Sequence, residues 1–179
     1  MATFAIDPAH TDVLFSAKHM MVTNVRGTFS DVHGTVELDE TDPTASHAEI
    51  VLAAASLDTG FGARDTHLRS ADFFAVETYP EIRVVSTAIR AKGGNDYTVT
   101  ADVTIRDVTK PVDFDVEFLG FYPAMDGAPR AGFSARAKVN RKDWGLDWNV
   151  ALEAGGWLVG DQVKIEVDVA LQAAVAKAA

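Results

Sequence analysis

The chain contains no cysteine, which excludes disulfides and thiolate metal sites. Basic charge is scarce: 16 lysines and arginines face 26 aspartates and glutamates, leaving a net charge of −10. Nucleic acid phosphates and anionic headgroups both call for basic patches, so neither is an expected partner. No stretch approaches the ~18 apolar residues that a spanning helix needs. The first residues, Met-Ala-Thr-Phe-Ala-Ile-Asp, carry no basic region and no apolar run of signal-peptide length, so a cytoplasmic protein is expected. Three chemical signatures are missing as well. There is no G-x-S-x-G nucleophile, no glycine-rich phosphate loop, and no H-x-x-x-H or H-E-x-x-H spacing among His10, His33, His47 and His67.

What the chain has in quantity is alternation with a period of two, the signature of half-buried strands. Phe4 and Ile6 open a short strand, and residues 7–10 turn it. Val13, Phe15, Ala17 and His19 then share one face. A strand is predicted over residues 25–38, bent at Gly27 and Gly34, and another over 47–57, apolar on both faces. Residues 82–91 follow, then a turn at 93–96 of residues that tolerate positive φ. Tyr97, Val99, Ala101, Val103 and Ile105 make the next inner face. Val112 to Phe118 alternate with Asp113, Asp115 and Glu117, and Phe133 to Val139 with Ser134, Arg136 and Lys138. Val163 to Leu171 alternate with Lys164, Glu166 and Asp168. One wet face and one dry face per strand, joined by short turns, predict a single all-β domain over residues 1–172, an extended eight-stranded antiparallel barrel, with a two-sheet sandwich as the alternative. The Ala-rich tail, residues 173–179, is expected to fray.

Two segments break the pattern. Residues 60–82 crowd charges and phenylalanines with no period of two. Asp65 and Ser70 are N-cap types, and Pro80 stops a helix, so a short helical crossover is predicted between the fourth and fifth long strands. Its Phe61, Leu68, Phe73 and Phe74 are placed to close one end of a barrel. Its polar cluster, Arg64, Asp65, His67 and Arg69, reads as capping and salt bridging that pin the crossover to the rim, with acid–base catalysis as the competing reading. The second segment, residues 143–161, holds all three tryptophans, as pocket linings or loop anchors.

The interior is small-sided. Ala17, Gly34, Ala101, Ala135 and Ala137 sit on otherwise apolar faces. An eight-stranded barrel either fills itself with side chains or holds one ligand, and small inward residues favour the ligand over filling by long Phe and Leu partners. His19 is a candidate hydrogen-bond partner for a ligand headgroup.

The ordered motifs Asp7-x-x-His10-Thr11, Phe15 and His19, Gly27 and Phe29, the crossover Arg64 to Phe74, Tyr79-Pro80, Ser86, Thr109-Lys110-Pro111-Val112, Arg141, Gly145-Leu146 and Val159-Gly160-Asp161 resemble the YceI family of lipocalin-like polyisoprenoid-binding proteins. Asp107 stands where Gly is usual, Trp144 where Phe is usual, and Val84 replaces a common Phe. The resemblance implies a non-catalytic barrel that binds, carries or sequesters a polyprenyl species, an isoprenoid quinone or a similar long-chain lipid. No other cofactor and no metal are implied, and a homodimer is left open. The residues expected to contact the lipid are Phe15, Ala17, His19, Phe29, Leu52, Leu68, Phe73, Phe74, Ala101, Ala135, Ala137, Trp144 and Trp148. The alternatives are an enzyme acting on such a lipid, or a ligand-free stress or structural protein.

Overall fold

The computed structural model describes residues 1–174, and within them the alternating stretches become strands β1 (Ala2–Ile6), β2 (Asp12–His19), β3 (Thr23–Phe29), β4 (Val32–Leu38), β5 (His47–Ala53), β6 (Leu57–Asp58), β7 (Glu81–Gly93), β8 (Asp96–Ile105), β9 (Val108–Pro123), β10 (Pro129–Asn140) and β11 (Val159–Ala173), with helix α1 (Gly62–Arg69) between β6 and β7. Residues 175–179, most of the expected tail, lie outside the described residues, and Ala173 still belongs to β11.

The sheet closes on itself. Its order runs β1, β4, β5, β7, β8, β9, β10 and β11, and β11 pairs back onto β1, which makes an antiparallel barrel of eight positions. Three positions are built from two segments each. β11 pairs with β1 at Leu171 and with β2 from Asp168 backwards, so β2 prolongs β1. In the same way β3 prolongs β4, and β6 prolongs β5.

Each break has a local cause. Between β1 and β2, Asp7 accepts from Ala9 N–H at 3.1 Å and contacts His10 Nδ1 and Arg130 Nη1, each at 2.9 Å. Thr11 Oγ1 accepts from Ala170 N–H at 3.1 Å, so this kink is stitched to β11. The stretch 25–38, expected as one strand bent at its glycines, breaks instead at Ser30 and Asp31. Asp31 N–H donates to Ser56 Oγ at 3.1 Å, which ties this break to the turn between β5 and β6. The two glycines serve close approach. A Cβ on Gly27 would lie 2.4 Å from the Phe15 ring, and one on Gly34 would lie 2.2 Å from the Glu49 carbonyl oxygen.

The apolar face of every long strand points inward. Outside, charges pair across strands, as in Arg83–Glu49 at 2.6 Å and Lys92–Asp115 at 2.8 Å. Exposed pairs of this kind are worth ~0–1 kcal/mol, so the fold rests on what lies inside. Two packed clusters stand there. One follows β1 to β6, with Phe4, Ile6, Phe29, Leu52 and Leu57, and takes in Leu171 of β11. The other gathers Phe73, Val103, Val112, Ala137, Trp144 and Leu146 where the crossover and the tryptophan-bearing loop meet the barrel.

Candidate functional site: an apolar cavity along the barrel

The remaining walls do not meet across the interior. Val84, Val99, Val116, Ala135, Val163 and Val167 sit on inward faces, yet each is only half-buried. A side chain that faces into a closed barrel and still keeps accessible surface faces a void. That void is a cavity of about 380 Å³, within the usual ~300–1,000 Å³ of small-molecule sites.

The two ends of the cavity differ. One is bounded by Phe73, Trp144 and Leu146, all buried, with Leu68 and Phe74 beside them. The other is bounded by Asp39, Glu40, Ser46, His47, Tyr97 and Phe121, of which Glu40, His47 and Phe121 are exposed. The second end is the mouth.

Of the residues expected to contact a ligand, Phe15, Ala17, Phe29, Leu52, Leu68, Phe73, Phe74, Ala101, Ala135 and Trp144 border the cavity. His19, Ala137 and Trp148 do not. His19 is the last residue of β2, where it pairs with Thr23 on one side and with Val159 on the other; Val159 borders the cavity and His19 does not. Ala137 shares the inward face of Ala135, but it is packed among Phe73, Trp144 and Leu146. Trp148 backs the closed end from outside, with its ring 4.4 Å from His67 and 5.6 Å from Phe73.

A domain model described as YceI-like matches residues 4–171 of the chain. The chain belongs to the YceI family. It is similar to a UPF0312 protein of Staphylococcus aureus, 35% identical over 167 residues that cover 93% of this chain and 95% of the relative. It is also similar to a UPF0312 protein of Staphylococcus epidermidis, 37% identical with the same coverage. Among solved structures, BcnA of Burkholderia cenocepacia superposes with a TM-score of 0.79 at 24% identity, over 92% of this chain and 98% of that one. A polyisoprenoid binding domain from Saccharophagus degradans, implicated in plant cell wall breakdown, superposes with a TM-score of 0.73 at 15% identity, over 97% and 100%. At such identities the likeness is one of fold.

The motif residues of this YceI barrel mostly build its closed end. Asp65 is not the N-cap of α1: the cap position is Phe61, with no side-chain bond. Asp65 sits buried in the first turn and reaches back to accept from Thr59 N–H at 3.0 Å and Thr59 Oγ1 at 2.5 Å. Ser70 ends the helix, its hydroxyl donating to the His67 carbonyl at 2.6 Å. Arg64 donates to Thr59 Oγ1 at 2.7 Å, Arg69 to the Leu57 carbonyl at 2.7 Å, and His67 contacts Asp72 at 2.9 Å. Each side chain of the cluster thus holds a neighbouring stretch of chain.

Arg141 borders the cavity but offers it nothing. Its N–H groups donate to the carbonyls of Gly160, Leu146, Trp148 and Val159 and contact Asp161, which exhausts the guanidinium fork and pins the loop that carries the tryptophans. Burial works against the charge of Arg141, and Asp161 and Asp147 work for it. Trp144 is 2% exposed and donates from Nε1 to the Val103 carbonyl at 2.9 Å. Both residues that depart in size from the usual pattern, Trp144 and Val84, border the cavity. The larger one lies at the closed end and the smaller one on the wall.

The mouth is acidic and held in place. Asp39 accepts from Asp42 N–H at 3.0 Å, Thr41 Oγ1 at 2.7 Å and Thr41 N–H at 2.9 Å, and these bonds hold its carboxyl down at about 2. Ser86, buried, accepts from Ala48 N–H at 2.8 Å and lies 3.2 Å from His47 Nδ1. Sequence reasoning gave no ligand role to Ser86, His47 or Phe121. Among the described residues, no three His, Asp or Glu side chains are grouped to hold a metal ion.

Proposed function

We propose that this YceI protein is a non-catalytic carrier that takes a long-chain isoprenoid, a polyprenyl species or an isoprenoid quinone, into its barrel tail-first. The observation that carries the reading is the cavity itself. It is apolar along its length, ends against Trp144 and Phe73, and has its hydrogen-bonding side chains gathered at the mouth. The Saccharophagus degradans domain of the same fold, described as polyisoprenoid-binding, supports it.

Magnitudes assign the roles. Burying ~20 carbons at ~0.8 kcal/mol per methylene is worth ~16 kcal/mol before the costs of association are subtracted. One hydrogen bond at the mouth nets ~1 kcal/mol. The tail therefore sets affinity, and the groups at the mouth set orientation. Catalysis is disfavoured because the one dense polar cluster, on the crossover, spends its hydrogen bonds on holding the chain. Native mass spectrometry of the purified protein, followed by lipid extraction, tests the proposal. A stoichiometric isoprenoid is expected. Protein that stays empty when offered polyprenols and quinones, or that turns them over, would refute it.

A further inference from the structure

We infer that the β9–β10 hairpin docks the protein, mouth first, on the surface of an uncharged lipid bilayer. The inference rests on the carrier reading for its purpose, but on the hairpin alone for its geometry. β9 and β10 outrun their neighbour: β8 pairs with β9 no further than Asp96 opposite Glu117, whereas β10 continues to Pro129 opposite Pro123. Residues 119–129 therefore stand clear of β8 on the side of the mouth, and beyond Arg130, which still pairs with Gln172 of β11, the hairpin projects past the barrel.

The outer face of β9 changes character at that point. Asp113, Asp115 and Glu117 face water along the barrel, and then Leu119 stands alone as a bulge. The bulge shifts the alternation, so that Phe121 turns inward and Tyr122 outward. Leu119 and Tyr122 meet over Gly132, at 3.6 Å and 3.8 Å from where its Cβ would lie. Phe121 packs 5.1 Å from Phe118 and still keeps 45% of its surface exposed. Met125, at the tip, is fully exposed. An exposed cluster of this kind marks an interaction site.

Charge selects the occupant. The only charged residue within 118–129 is Asp126, which lies 3.7 Å from Arg130. The base of the hairpin is clamped as well, since Arg130 also reaches Asp7 at 2.9 Å. The tip is therefore apolar but for one carboxylate beside a guanidinium, while the neighbouring rim bears Asp39 and Glu40 on a chain of net charge −10. That rim would repel anionic lipid, and it would repel the same rim of a second copy. A zwitterionic surface meets neither objection, and Tyr, Phe, Met and Leu are suited to the boundary between headgroups and acyl chains. Continuity adds to this. Phe121 borders the cavity and is exposed at the hairpin, so a lipid tail passing from bilayer to barrel follows apolar surface throughout.

Co-sedimentation with phosphatidylcholine vesicles tests the inference. The delipidated protein is expected to sediment with the vesicles. Replacing part of the phosphatidylcholine by phosphatidylglycerol should weaken binding at low salt. Leu119→Glu with Met125→Glu should reduce the bound fraction several-fold. Because both side chains are exposed, these substitutions should leave the denaturation midpoint and the uptake of isoprenoid from detergent unchanged. Wild-type protein that ignores vesicles, or a double variant that binds them undiminished, overturns the inference. So does a wild-type oligomer that the double variant dissolves, which assigns the hairpin to self-association. Vesicle binding without isoprenoid uptake would remove the carrier reading and leave the docking face standing.

Discussion

Ala135 and Ala137 lie on the same inward face of β10, one turn of the alternation apart, and they stand in different surroundings. Ala135 pairs with Val116 and Val167, and all three border the cavity. Ala137 is 9% exposed and closed in by Phe73, Trp144 and Leu146. The same residue type on the same strand is packed at one position and hollow at the other, and Val139, the next on that face, borders the cavity again. An inward position in a ligand-holding barrel therefore has no fixed meaning. What counts is whether anything reaches it from the far wall or from the end.

The comparison is sharpened most by removing the cap. Trp144→Ala should destabilise the protein by ~3–5 kcal/mol, since it deletes a buried aromatic from the closed end. Denaturant melts measure this, and a loss below ~1 kcal/mol would mean that the closed end is loosely packed.

The two alanines come next. Ala137→Leu should overfill the cap and cost ~1–3 kcal/mol. Ala135→Leu should leave the stability of delipidated protein nearly unchanged and weaken binding of a long chain several-fold. Equal stability losses for the two would erase the distinction between them and make the barrel solid.

An effect of similar size is expected at the crossover. Asp65→Ala leaves Thr59 N–H and its hydroxyl without their acceptor and should cost ~1–3 kcal/mol. Lipid affinity should stay largely intact, because Asp65 does not border the cavity. A fully stable variant that lost turnover of a lipid would turn the argument toward an enzyme.

The smallest effect concerns acid. The Asp7 carboxyl is held below its ordinary value of 3.8, first by its hydrogen bond with His10, then by Ala9 N–H and the charges of His10 and Arg130, against the opposing effect of burial. A folded value below the unfolded one contributes stability above the ordinary value, which is lost as pH falls through the folded value. Asp7→Asn should therefore flatten the loss of stability below about pH 3.8. Midpoints that fall in parallel for both proteins would assign the acid sensitivity elsewhere.

The strands were legible because alternation and turn residues are local signals, and so was most of the cavity wall, which follows once one residue on each face is placed. Of the interruptions, the turn at residues 7–10 was legible and the later ones were not. The break at Ser30 and Asp31 depends on Ser56, far along the chain, and the Thr11 stitch depends on Ala170. Asp65 has the chemistry of a cap, yet its side chain, tilted toward the helix N-terminus, finds Thr59. The bulge at Leu119 reversed which residues face inward, and so hid Phe121 from a count by twos. His19 obeyed the count and still missed the cavity, although its partner Val159 borders it, because a shared face does not by itself bring a side chain to the void.

The measurement that bears most directly on the hollow barrel is a titration of delipidated protein with isoprenoids of increasing tail length, each with two different headgroups. Affinity should rise with each isoprene unit until the tail reaches Trp144 and Phe73, then level off, and should change little with the headgroup. Affinity that follows the headgroup and ignores the tail would contradict it.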